Sequence, residues 1–166
     1  FTRSVDPPRD TERRQLTVMF CDLVGSTELS QRLDPEELRD VVRAYQATAG
    51  DVLRDAGGHV AQYLGDGLLV YFGYPRAQED DAQRCVRAGL DILAAMAQRN
   101  VGLEAERSVR LAVRIGIHTG PVVVGEMGGG ERRERLALGE TLNVAARLQG
   151  VAAPDTVVIS AATHRI

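Results

Sequence analysis

Asp22 and Asp66 are the residues of this sequence whose surroundings point most directly to chemistry. Asp22 closes a short apolar run, QLTVMFCDL, and is followed by Val24-Gly25-Ser26-Thr27; Asp66 is the middle residue of Gly65-Asp66-Gly67. Carboxylate oxygens, with phosphate oxygens and water, are what hard cations such as Mg²⁺ or Mn²⁺ take as ligands. Two such ions about 3.5–4 Å apart suit an in-line displacement at phosphorus. Taken alone, an Asp in a Gly-Asp-Gly turn and an acid at a strand end are equally ordinary turn residues. The pair becomes a site only if the fold brings the two carboxylates together.

Two other groups of residues fit the same chemistry. In Val24-Gly25-Ser26-Thr27, backbone N–H groups precede a short helical turn and Gly25 permits close approach, as a triphosphate chain requires; a Ser-Thr helix cap suits the same residues. In Thr141-Leu142-Asn143-Val144-Ala145-Ala146-Arg147, Asn143 and Arg147 stand four residues apart and project from one helix face. An amide and a guanidinium so placed can orient a ribose and stabilise charge on a phosphoryl group, or serve simply as a solvated polar pair. All 20 basic residues are arginines, so any cationic contact to phosphate uses a planar guanidinium fork.

The elements that must position these residues follow from pattern. Phe1 to Arg14, with Pro7-Pro8 and no period, reads as a linker or arm, and residues 15–166 as one domain. Gln15 to Leu23 is β-branched and apolar and predicts a buried strand ending at Asp22. Asp34-Pro35-Glu36-Glu37 starts a helix that Gly57-Gly58 ends. His59 to Leu64 and Leu68 to Phe72 flank Gly65-Asp66-Gly67 as a hairpin, with Asp66 on its turn. Glu79 to Arg99 is helical, and Val109 to His118 and Pro121 to Gly125 read as two successive strands. The run from Gly128 to Arg135 reads as a mobile, solvated loop, with Arg132, Arg133 and Arg135 in its charged part. Glu140 to Gln149 is helical, and Thr156 to Ile159 is a short strand. The order β, α, β, β, α, β, β, α, β predicts a ferredoxin-like α+β fold, a mixed antiparallel sheet backed by helices on one face.

Composition narrows the rest. At 166 residues and 44% hydrophobic, the chain supports one well-buried core. A net charge of -3 argues against a nucleic-acid partner. No apolar run approaches the roughly 20 residues of a membrane helix, so the domain is expected to make no membrane contact and to be cytoplasmic, any tether lying in a longer parent. Cys21 and Cys85 lack metal spacing and read as buried thiols; His59, His118 and His164 read as structural.

Phe20-Cys21-Asp22-Leu23-Val24-Gly25-Ser26-Thr27, Gly65-Asp66-Gly67, Arg114-Ile115-Gly116-Ile117-His118-Thr119-Gly120 and the stretch Thr141 to Arg147 together resemble the class III adenylate and guanylate cyclase catalytic domain, from about Gln15 onward. That resemblance implies that Asp22 and Asp66 bind two divalent metal ions, Mg²⁺ or Mn²⁺, with the Leu23 backbone as a further ligand. It implies that Val24, Gly25, Ser26 and Thr27 cradle the β- and γ-phosphates and that Arg114 reaches the terminal phosphates. Asn143 would orient the ribose and Arg147 stabilise the transition state from the other protomer, which implies a homodimer with shared sites. The implied reaction is ATP to 3′,5′-cyclic AMP and pyrophosphate, for signal transduction. The family's two base-reading positions fall on Gln62 and Leu136. An amide at Gln62 can both donate to and accept from a purine edge, whereas Leu136 offers no hydrogen bond. A guanylate or relaxed-specificity cyclase, with GTP as substrate, and a weakly active nucleotide-binding regulatory module therefore stand as alternatives. The family pattern continues past Ile166 into strands bearing a phosphate-contacting lysine, so phosphate binding is expected to rest on Arg114 and backbone groups.

Overall fold

The computed structural model describes residues 12–127 and 134–166. The first strand, β1 (Glu12–Val24), is longer than expected. Glu12 to Arg14, placed in the arm by pattern alone, pair with Val124 to Val122 and belong to the sheet. Two helices follow, α1 (Ser26–Arg32) and α2 (Pro35–Asp55). Asp34 caps α2 and Pro35 occupies the first turn, as the sequence predicts, and Glu37 closes a reciprocal capping box with Asp34. Next come the hairpin β2 (His59–Leu64) and β3 (Gly67–Phe72), then α3 (Asp81–Arg107).

The strand β4 (Ala112–Met127) is one continuous element rather than two. Gly120-Pro121 does not break it, because Pro121 lies between the stretch paired with β6 (Arg114 to Ile117) and the stretch paired with β5 (Val123 to Met127). On that side its missing N–H leaves no ladder bond unfilled. The strand β5 (Glu134–Leu138) replaces the end of the expected loop, with Arg135 opposite Glu126; Arg132 and Arg133 lie outside the described residues. Then come α4 (Glu140–Val151), β6 (Thr156–Ile159) and α5 (Ala161–His164). The sheet order is β2-β3-β1-β4-β5, all antiparallel, with β6 added parallel to β4, which makes it the mixed sheet of an α+β fold.

Pleat parity divides the core. Met19, Cys21 and Leu23 of β1 pack with Leu68, Val70, Ile115 and Ile117 under α2 and α3, around Tyr45, Leu53, Ile92 and Met96. Leu16, Val18 and Phe20 face the other way and pack with Leu69, Tyr71 and Ala145 of α4. The helices therefore cover both faces, not one. What lets α4 cross the second face is Gly116, where a Cβ would lie 2.2 Å from the Gln149 nitrogen and 2.5 Å from the Ala145 oxygen. Only a residue without a side chain permits helix and strand backbones to meet so closely.

Candidate active site

Asp22 stands near the end of β1, opposite Arg114 of β4 in the antiparallel register. On the other side, Cys21 pairs with Leu68, which sets Gly67 against Asp22. A Cβ at Gly67 would lie 3.4 Å from Asp22 Oδ1 and 3.2 Å from the Cys21 carbonyl oxygen, so glycine leaves the room the carboxylate occupies. Leu64 pairs with Gly67, making Gly65 and Asp66 the two-residue turn, and Gly65 takes the left-handed conformation (φ +63°) that such a turn needs at its first position. The tip is fastened from below, where Gln46 Nε2 of α2 donates to the Gly65 carbonyl at 2.9 Å. The hairpin thus delivers Asp66 to Asp22, as the sequence pattern requires.

The two carboxyls meet within hydrogen-bonding reach, and the consequence is electrostatic. Partial burial, and then the adjacent Asp66 carboxyl, push the Asp22 acid up to about 7. The Leu23 N–H, donating to Asp22 Oδ1 at 2.9 Å, and the Arg114 guanidinium act in the opposite direction without cancelling the rise. Arg114 Nε is itself buried with no hydrogen-bond partner among the described residues, an orphaned donor beside the carboxylate pair. Two hard oxygen donors pressed together in a half-buried position fit a divalent cation, which would remove the repulsion that proton uptake otherwise relieves. The orphaned guanidinium nitrogen fits an anionic ligand there. The residues present therefore suit a metal-bound phosphate ester.

The turn after Asp22 has Gly25 in the left-handed conformation (φ +73°) as the N-cap of α1, without a side-chain cap bond. Leu23 is buried, Val24 half-buried and Gly25 exposed, whereas the half-exposed Ser26 and the exposed Thr27 line a groove of about 580 Å³ that reaches Asp66.

Gln62 owes its orientation to a feature absent from the expected hairpin. The β2–β3 register shifts between Val60 and Gln62, with Ala61 as the extra residue. Val60 pairs with Val70 on the α2 face, but Gln62 pairs with Leu69, which pairs in turn with Phe20 on the Asp22 face. Without the bulge Gln62 would point to the opposite side of the sheet. Leu136 lies in β5 opposite Gly125. Three strands separate β2 from β5, so the structure does not bring the two base-reading positions together along the sheet.

Asn143 and Arg147 share one face of α4, as expected, and that face is exposed. Both turn to Glu140: Asn143 Nδ2 donates to its Oε2 at 3.4 Å, and Arg147 Nη1 lies 3.6 Å from its Oε1, with Arg147 75% exposed. Thr141 and Ala145 face inward; Thr141 Oγ1 donates to the Pro121 carbonyl. Among the described residues neither Asn143 nor Arg147 contacts Asp22, Asp66 or Arg114. Cys21 and Cys85 are free buried thiols; Cys21 Sγ meets the buried Tyr45 hydroxyl at 3.1 Å behind Asp22. His118 Nδ1 and Ser160 Oγ lie 2.7 Å apart. Sequence reasoning missed Gln46 and the Ala61 bulge, since each acts through a tertiary contact or register that no local motif encodes.

An antiparallel-centred sheet with acids at the end of β1 and on the β2–β3 turn, and an Asn/Arg helix four elements later, defines a nucleotidyl cyclase catalytic domain. The chain belongs to that family: residues 9–166 match the adenylate and guanylate cyclase catalytic domain. Adenylate cyclase 1 of Rhizobium meliloti is 32% identical over 84% of this chain and 21% of its own length. An adenylate cyclase of Anabaena cylindrica is 32% identical over 83% of the chain and 27% of its own length, so the chain spans about a quarter of these relatives. The crystal structure of the adenylyl cyclase CyaB from P. aeruginosa superposes with TM-score 0.89 at 31% identity, covering 94% of this chain and 81% of that one. A guanylyl cyclase crystal structure matches equally well, with TM-score 0.89 at 34% identity over 93% of this chain and 79% of that one. Among the described residues no helix is long and apolar enough to cross a membrane.

Proposed function

We propose that this domain converts ATP to 3′,5′-cyclic AMP and pyrophosphate with two divalent metal ions, as a homodimer with two shared sites. The observation that carries this reading is the opposed carboxyl pair, with the Asp22 acid raised to about 7 beside the orphaned Arg114 Nε. In the reaction the ribose 3′-oxygen bonds to the α-phosphorus, the bond from that phosphorus to the bridging oxygen breaks, and pyrophosphate leaves while the hydroxyl proton passes to solvent. Asp22, Asp66 and the Leu23 backbone would hold the metals, whose charge would supply neutralisation of the phosphates and a lowered pKa at the 3′-hydroxyl. The Val24 to Thr27 turn and Arg114 hold the β- and γ-phosphates. Asn143 and Arg147, reaching in from the second protomer, orient the ribose and stabilise charge on the phosphoryl oxygens. Their exposure in a single chain, where among the described residues they meet only Glu140, supports a site completed by a second copy.

Incubation with Mn²⁺ and ATP is expected to give cyclic AMP, and Asp22→Ala or Asp66→Ala to abolish it. Turnover surviving either substitution overturns the metal assignment; nucleotide binding without product under any metal favours a regulatory module. A second reading, a guanylate or relaxed-specificity cyclase, is favoured by Gln62, whose amide can flip to match either purine, and by Leu136, which reads neither. Relative turnover of ATP and GTP by the same preparation decides between the two.

A further inference from the structure

The stripe of α2 formed by Leu38, Arg39, Val42, Arg43 and Gln46 lines the same groove as Ser26, Thr27 and Asp66. Leu38 and Val42 anchor on the core, leaving Arg39 and Arg43 to project along the wall, both exposed. Among the described residues neither guanidinium has a hydrogen bond or an ion pair. Two like charges four residues apart on one helix face repel, by a few tenths of a kcal/mol. The helix offers the usual remedy, since Glu36 and Asp40 each stand three residues before one of the arginines. Further along the same helix Arg54 takes that option with Asp51, at 2.6 Å. Arg39 and Arg43 instead face the groove without an ion pair among the described residues, an arrangement that an anion bound there would relieve.

The groove's other end identifies the anion. Gln46 fastens the hairpin tip to α2. Arg43 and Arg39 stand three and seven residues before it, about 4.5 and 10 Å along the helix axis. A chain of phosphates beginning at the Asp66 carboxylate would meet the Ser26 and Thr27 hydroxyls and then the two guanidinium forks in turn, and a guanidinium binds phosphate oxygens bidentately. We infer that Arg39 and Arg43 are phosphate-binding residues that take the terminal phosphate of the nucleoside triphosphate and hold pyrophosphate before its release. This assignment rests on the proposed cyclase reading for its substrate but not for its anion chemistry.

The test measures binding of Mg²⁺-tripolyphosphate, alongside turnover, by the wild-type domain, the double variant R39A/R43A and the double variant R39K/R43K. The alanine variant is expected to bind tripolyphosphate at least about tenfold more weakly, the loss of one charge-assisted hydrogen bond or more. Its KM for the nucleoside triphosphate should rise by a similar factor with kcat within about twofold, the pattern of lost ground-state binding. Nucleoside monophosphate affinity and the thermal midpoint should stay put, since neither arginine supports the fold. The lysine variant should recover part of the affinity, keeping the charges but not the forks. Undetectable tripolyphosphate binding by the wild type, unchanged binding by R39A/R43A, or an equal loss for the monophosphate overturns the inference. Arginine-dependent tripolyphosphate binding in a domain that makes no cyclic nucleotide would sink the cyclase reading and leave the anion site standing.

Discussion

The Asp22 corner and the outer face of α4 carry the same kinds of polar residue under opposite conditions. At the corner, Asp22, Asp66 and Arg114 are half-buried and left with repulsion and an unfilled donor. On α4, Asn143 and Arg147 stand in solvent on loose contacts to Glu140, which for an exposed pair contribute little. Strain against the folded state is therefore concentrated where the metals would bind, and the group proposed to stabilise the transition state is held to its own chain only loosely, at Glu140 among the described residues. On the proposed reading such a protomer would hold two half-sites, one to be filled by a cation and one by a partner.

Mixing two inactive variants tests that division directly. Arg147→Ala should cut kcat by about 10²–10³, the usual cost of one transition-state donor, and move the thermal midpoint little, because the side chain supports nothing. Asp66→Ala should be inactive through the other half. Mixed in equal amounts and allowed to exchange, the two should regain about a quarter of wild-type turnover, since half the dimers are mixed and each has one intact site. No recovery, with subunit exchange shown by a size or label assay, would mean that each chain completes its own site.

Gly116→Ala separates the regions by a different route. With a Cβ 2.2 Å from a helix backbone nitrogen, α4 must shift on β4, at a cost of about 1–3 kcal/mol for overpacking. Turnover should fall with the displaced Asn143 and Arg147, while the rise in thermal midpoint on adding Mn²⁺ persists, because β1 and the hairpin are untouched. If cation stabilisation disappears as well, the two regions are coupled through the sheet and do not act independently.

What the sequence revealed follows the same boundary. Asp22 and Asp66 were legible because each ends or turns a short element whose local pattern is strong: an apolar run stopping at an acid, and Gly-Asp-Gly between two strands. The helix starting at Asp34 was legible from its cap. The continuity of β4 through Gly120-Pro121 was not, because a proline reads as a break until its neighbours on both sides are known. Nor was the side on which α4 lies, since Gly116 looks like any motif glycine until Ala145 and Gln149 are placed against it. The Ala61 bulge changes the face of Gln62 with no mark in composition, since either phase of HVAQYL gives a plausible half-buried strand.

The mildest substitution probes the corner's electrostatics alone. The Asp22 acid sits at about 7 in the folded domain against 3.8 as its ordinary value, so between those pH values the folded state binds more protons than the unfolded one. Stability in the absence of divalent cations should therefore fall as pH rises from about 4 to about 7, with the penalty fully present above that window and absent below it. Asp22→Asn removes the titration. Discounted for screening at this half-exposed position, the variant should be more stable than wild type at pH 8 by about 1 kcal/mol, or about 2–4 °C in thermal midpoint, and the two should converge near pH 4. Mn²⁺ should reverse the order at pH 8 by binding only the wild-type pair tightly, and stabilise the wild type less at pH 5, where protons compete for Asp22. Melting curves of both proteins across this range, with and without the cation, read all three outcomes; an asparagine variant less stable than wild type at pH 8 without metal would mean that the Arg114 and Leu23 contacts outweigh the carboxylate repulsion.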